Sequence, residues 1–317
     1  MRNPSPVEQA VALGGVMATV PRRVLGVLAA PARADLTGQL RRALGVGREP
    51  MRMSMDPAES YLPPDGVARM VHSDLASMLI GGIGALLLQT LHPLAMAGVA
   101  EHSSYQTDPL GRLRRTANFV GTTTFGTVRE AEKAVEQVRR VHRRVTGVAP
   151  DGRPYSASDP ALVTFIHAAE VWSFLEAARW FGPHDLTPEQ CDRYYDEMAP
   201  VALALGAQWV PRSMAEMDRY FTQLRPELRA GEQALQARDW LRRGVAKRPE
   251  ERAVYTVLHA AAVSLLPTWA RAELGLTAPA RLDLLVDTVA VIPISRAVSS
   301  GLRWLVTPER APEPQVA

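Results

Sequence analysis

From Leu75 to Ala100 the chain reads LASMLIGGIGALLLQTLHPLAMAGVA, without a single formally charged residue. A helix of that length could span a bilayer. Four glycines, a glutamine, a histidine and a proline lie inside it, however, and Trp, Tyr and Arg anchors are missing at its ends. A helix buried on all sides and broken near His92-Pro93 accounts for this composition with less strain. Such a helix needs a jacket of others around it. The GGIG fragment inside it has no third glycine, no preceding strand and no βαβ spacing, so it reads as close helix packing and not as a dinucleotide loop.

Helix punctuation supplies the jacket. Thr127 with Glu130 forms a capping box, opening a helix expected to run to Gly147 as its C′ residue. Asp159-Pro160 opens ALVTFIHAAEVWSFLEAARWFG, which Gly182-Pro183 closes. Thr187 with Gln190 and Ser213 with Glu216 give two further capping boxes, and later helices are expected over about 230–247, 250–265 and 281–304. Only the surroundings of Tyr155 suggest a strand. Alanine, leucine, valine and arginine are abundant, and strand formers are few. The expectation is an all-α fold: one domain over 56–306 with about ten helices. It is preceded by an amphipathic arm (1–55, with helices near 7–18 and 34–45) and followed by a disordered tail (307–317). The arm is expected to dock on the core. Its apolar run VALGGVMATV lacks a basic start and a clear cleavage site, so a cytoplasmic location is expected, with peripheral membrane association left open.

Several chemistries are excluded by inventory. The single cysteine, Cys191, rules out a disulfide framework, a cysteine-rich zinc site, an intrachain iron–sulfur cluster and covalent c-type haem. No P-loop, G-x-S-x-G elbow or H-E-x-x-H is present. Paired Glu-x-x-His motifs for a di-iron bundle are missing too. The net charge is only +3, which gives no reason to expect nucleic acid. Apart from Lys133 and Lys247 the basic residues are all arginine, whose planar fork holds carboxylates bidentately.

The segment LGRLRRTANFVGTTTFGTVREAEKAVEQVRRVHRRVTG carries the chemistry. Arg112, Arg115 and Thr116 fall three and four residues apart and so share one helix face, with Arg114 between them. In the next helix Ala131, Val135, Val138, His142 and Val145 form an apolar stripe, with Arg139, Arg140, Arg143 and Arg144 around the imidazole. His142 has two readings. It is a neutral imidazole on haem iron, or a core histidine whose nitrogens are satisfied by protein groups, and the helix alone favours the second. The arginines likewise read as a clamp for haem propionates or as a solvated basic face. His92 and His167 lie in strongly apolar helices, each a candidate axial ligand, distal donor or structural residue, with Glu170 three residues after His167. His102, with Ser103 and Tyr105, reads as a surface loop, and His184 as a surface residue, whereas His72 and His259 carry no signal.

The order Gln89…His92-Pro93…Gly98-Val99, His102-Ser103, Asp108-Pro109, Arg112 and Thr116 resembles the rubber-oxygenase / MpaB-type oxygenase catalytic domain. So do Arg139-x-x-His142, GRPYSASDPALVTFIHA, LTPEQCDRYYDEMAPVALALG and LLPTWARAELGL, so the resemblance spans about 66–304. It implies a globin-like helical core and a b-type haem. The activity implied is an oxygenase (an oxidoreductase) using molecular oxygen on a small apolar or prenyl-like substrate. It matches His142 to the proximal iron ligand of the latex-clearing branch. Arg112, Arg115 and Thr116 match that branch's arginine–lysine–threonine patch, with arginine for lysine at Arg115, and Arg139 matches the arginine one turn before the ligand. His92 and His167 are then distal candidates. Two departures stand out: the branch's pocket glutamate falls near Met96, with Glu101 the nearest carboxylate, and no export signal is apparent. The alternative is a haem- or small-molecule-binding helical protein without turnover, which oxygen consumption with alkenes would distinguish.

Overall fold

The structure, a computed structural model, describes residues 53–243, 249–277 and all of 291–300 except 294 and 298. The expected helices at 7–18 and 34–45, most of that at 281–304, and the tail lie outside the described residues. What is described of 291–300 is helical.

The described chain is all-α apart from one two-stranded ribbon. Its helices are α1 (Val67–His72), α2 (Leu75–Gln89), α3 (Pro93–His102), α4 (Pro109–Phe125) and α5 (Val128–His142). After the ribbon come α6 (Pro160–Phe181), α7 (Pro188–Leu205), α8 (Met214–Leu224) and a 3-10 turn (Arg225–Glu227). The last are α9 (Glu232–Arg243), α10 (Pro249–Leu265) and α11 (Thr268–Glu273). In the ribbon, β1 (Thr146–Val148) pairs antiparallel with β2 (Pro154–Ser156), Gly147 opposite Tyr155.

The uncharged segment breaks where expected. His92 precedes a proline, which excludes it from helical backbone, and it sits extended at φ −87°, ψ 112°. The two helices α2 and α3 therefore meet at 106°. α2 packs most extensively on α6, with α10 on a further side. Gly81 permits that approach: a Cβ there would lie 2.9 Å from Phe174 Cα and Ser173 O. α6 is the one described helix long and apolar enough to cross a membrane alone, but 72% of its apolar window is buried within the protein. Leu87, Leu88 and Leu91 pack with Phe165, Leu228 and Leu266 in the core.

Most caps follow the sequence. Thr127 with Glu130 and Thr187 with Gln190 form reciprocal boxes, and Asp159 accepts from Ala161 N at 2.8 Å. Two details differ. Glu216 accepts from Arg212 N, not from Ser213 N, so that box is half formed. And α5 stops at His142, with Gly147 in β1 instead of at a helix end.

Candidate functional site

α4 and α5 pack together and are joined by Gly126-Thr127 alone, forming a hairpin with unequal ends. The closed end is pinned. Ser54 N and Tyr61 N donate to Phe125 O and Gly126 O, and Val128 N to Glu59 O. Buried Arg69 adds hydrogen bonds to the carbonyls of Thr124, Ser54 and Leu62 at 3.0, 2.6 and 3.2 Å. The open end is different. On α5 burial fades along the apolar stripe: Ala131 is 0% exposed and Val135 5%, whereas Val138 and His142 are half-buried and the adjacent Val141 is 55% exposed. On α4, residues 114 to 118 are all exposed. Arg112 and His142, at nearly equal separations from the turn, both belong to this open end.

The structure places the predicted residues as follows. Arg112 is half-buried and donates from Nη1 to Ser103 Oγ. Burial, with Arg115 beside it, lowers its pKa from the usual guanidinium range. Arg115 is exposed and reaches Ser104 Oγ at 3.1 Å and Asp108 Oδ2 at 3.4 Å. The two arginines thus converge on the loop between α3 and α4. Thr116 is exposed beside them. Arg139 lies on the other arm, exposed, with Nη1 3.4 Å from Ala204 O at the end of α7. Among the described residues neither ring nitrogen of His142 has a hydrogen-bond partner, and Nδ1 is buried. Burial lowers its pKa, which keeps the imidazole neutral at pH 7.

His92 and His167 belong to the interior. His92 caps α3 with its ring 5.0 Å from Phe165, and its Nδ1 is buried without a partner. His167 is 6% exposed with Nε2 unpaired, and burial pulls its pKa to about 4. Neither histidine hydrogen-bonds to or stacks on a described residue of the hairpin. One turn on, burial pushes the Glu170 carboxyl up to about 7. Met96, where the resemblance would put a pocket glutamate, is buried against Ala234 and Ala237 of α9.

Sequence reasoning missed the polar cluster next to the open end. Tyr155 is 5% exposed and donates its hydroxyl hydrogen to Glu101 Oε2. His102 Nε2 lies 3.1 Å from the same hydroxyl and 3.2 Å from Thr146 O. Burial first, and Glu101 second, raise the Tyr155 pKa to about 12. Gly147 makes room: a Cβ there would sit 2.5 Å from Tyr155 Oη and 2.8 Å from Glu101 Oε2. His72, thought uninformative, is buried with Nδ1 2.7 Å from Thr124 Oγ1 and Nε2 2.9 Å from Tyr194 Oη. Tyr105, expected in a polar loop, is buried edge-on to Trp240.

A shallow cleft between α1, α2 and the end of α6 is lined by Val71, Asp74, Ser77 and Leu186 among others. It contains none of the arginine or histidine candidates. No group of three or more His, Cys, Asp or Glu side chains suited to a metal ion occurs among the described residues. A haem asks for something else: one neutral imidazole nitrogen, cationic forks for two carboxylates and apolar contact. His142, with no hydrogen-bond partner among the described residues, Arg112 and Arg115 on the neighbouring helix α4, Arg139 one turn away and the exposed Val141 supply groups of those kinds.

Comparison with curated proteins and with solved structures found no match. A family model described as "ER-bound oxygenase mpaB/B'/Rubber oxygenase, catalytic domain" matches residues 69–296, well over half the chain and all of the site just described. The chain belongs to the mpaB/rubber oxygenase catalytic-domain family.

Proposed function

We propose that this protein is a b-type haem-dependent oxygenase that uses molecular oxygen on a small apolar or prenyl-like substrate, with its site at the open end of the α4–α5 hairpin. The observation that carries the reading is His142: a half-buried, neutral imidazole with no hydrogen-bond partner among the described residues, on a helix whose apolar stripe loses burial toward that end. The interior His92 and His167 also have an unpaired ring nitrogen, whereas His72 has both satisfied; what sets His142 apart is its half-buried place beside exposed Val141 and Arg139. Family membership supports oxygenase chemistry, and the globin-like core implied by the resemblance is part of the proposal.

In this reading a haem bound by His142 supplies the iron that activates dioxygen. The chain's own residues do the rest. Arg112 and Arg115 leave their serine and aspartate contacts to hold carboxylates, and Arg139 neutralises charge from the other arm. Thr116 offers a hydroxyl to the pocket. Val138 and Val141 give apolar contact and exclude water. His92 and His167, the distal candidates from sequence, would have to act from the interior, and His167 stays neutral above about pH 4.

The test is the Soret band. Protein expressed with ample haem supply should show it or acquire it with haemin, and His142→Ala should lose it while remaining helical by circular dichroism. Absence of haem uptake by the wild type overturns the haem reading. Retention of haem with an unchanged spectrum in His142→Ala overturns the assignment of the ligand.

A further inference from the structure

Nothing described so far sets the distance between the two arms at the open end, although the proposed site needs Arg112 and His142 at a fixed separation. A chain of contacts does connect them. Arg112 is held by Ser103, the residue after α3. The last two residues of α3, Glu101 and His102, are held by Tyr155. His102 also reaches Thr146 O, and Thr146 opens β1 four residues after His142. Within that short connection Val145 N donates to His142 O, Ala157 N donates to Val145 O, and Val145 lies against the position of Gly98.

Tyr155 is the node of this chain. Thr146 O can only accept, so His102 Nε2 carries the hydrogen. That N–H is shared between Thr146 O and the Tyr155 oxygen, which leaves the tyrosine hydrogen for Glu101. All three roles are mutually consistent. Gly98 and Gly147 both leave room for this side chain: a Cβ on Gly98 would touch its ring at 3.4 Å, and one on Gly147 would collide with its hydroxyl.

We infer that Tyr155 is a positioning residue: its hydroxyl, fixed by Glu101 and His102, locks the segment that follows His142 to the loop that holds Arg112. The hydroxyl touches neither residue directly and acts through Ser103 on one side and β1 on the other. The link to haem rests on the function proposed above; the mechanical coupling does not.

The experiment uses the full chain and two readouts, amide hydrogen exchange and haemin titration. Tyr155→Phe keeps the ring and removes only the hydroxyl. It should speed exchange about tenfold in both 101–104 and 143–148, weaken haemin binding about tenfold and shift the Soret maximum. Glu101→Gln, whose amide oxygen still accepts the tyrosine hydrogen, should behave as wild type. Glu101→Ala should match Tyr155→Phe, and the double variant should be no worse than either single one. Glu101 is exposed, so its alanine variant serves if Tyr155→Phe fails to fold. Exchange unchanged in either segment overturns the coupling. Faster exchange with wild-type haemin affinity and spectrum overturns the positioning role. A wild type that takes up no haemin defeats the haem reading, and exchange alone then decides the coupling.

Discussion

Two adjacent glycines in α2 should respond in opposite directions to the same substitution. Alanine at Gly81 puts a Cβ 2.9 Å from Phe174 Cα and Ser173 O, both on the α6 main chain. Main chain cannot rotate away, so the two helices must part by about half an ångström to reach ordinary contact. Overpacking of this kind costs about 1–3 kcal/mol, and the helix-propensity gain of about 1 kcal/mol offsets part of it. Gly81→Ala should thus be less stable by up to about 2 kcal/mol. At Gly82 the nearest atom to a Cβ is Phe174 Cε1 at 3.9 Å, an ordinary contact. Only the propensity gain remains, and Gly82→Ala should be about 1 kcal/mol more stable. Urea unfolding of the three proteins at one pH reads both values. If the two variants move together, in either direction, the tight α2–α6 crossing at Gly81 is wrong.

Other expectations follow from the same structure. Arg69→Met should cost about 2–4 kcal/mol in urea unfolding, because two buried carbonyls and one part-buried carbonyl lose a charged donor; a loss under about 0.5 kcal/mol would contradict those bonds. His167 has a folded pKa of about 4 against about 6.5 unfolded, so its stability contribution is complete above pH 6.5 and lost as pH falls toward 4. That contribution is about 3 kcal/mol, and the difference in unfolding free energy between wild type and His167→Gln should shrink by that order between pH 7 and pH 4. Parallel pH profiles would show that His167 is not held neutral.

The elements were legible because their signals are local. Asp159-Pro160, Thr127 with Glu130, and His92 before Pro93 each act within one turn, and the structure keeps them. Gly147 shows the limit. Beside a fading apolar stripe it looks like a helix terminus, yet its reason is Tyr155, which reaches it across the ribbon from a different segment. The site divides in the same way. Spacing put Arg112 and Arg115 together, and they do converge on the α3–α4 loop. The Tyr155 cluster joins residues more than fifty positions apart, and the His72 bonds span 52 and 122 positions, beyond the reach of any periodicity.

The uneven hairpin also bears on how binding would be felt by the whole molecule. With one end anchored by Arg69 and the strand-like contacts of residues 54–61, and the other held through the Tyr155 contacts while its own burial fades, the arms should open from His142 toward Gly126 once those contacts release. A ligand at the frayed end stabilises a local unit that opens on its own, well before the core around α2 and α6. Occupancy would then show first as slowed exchange and proteolysis over 110–148, with little movement of the global melting temperature until binding exceeds the cost of that local opening.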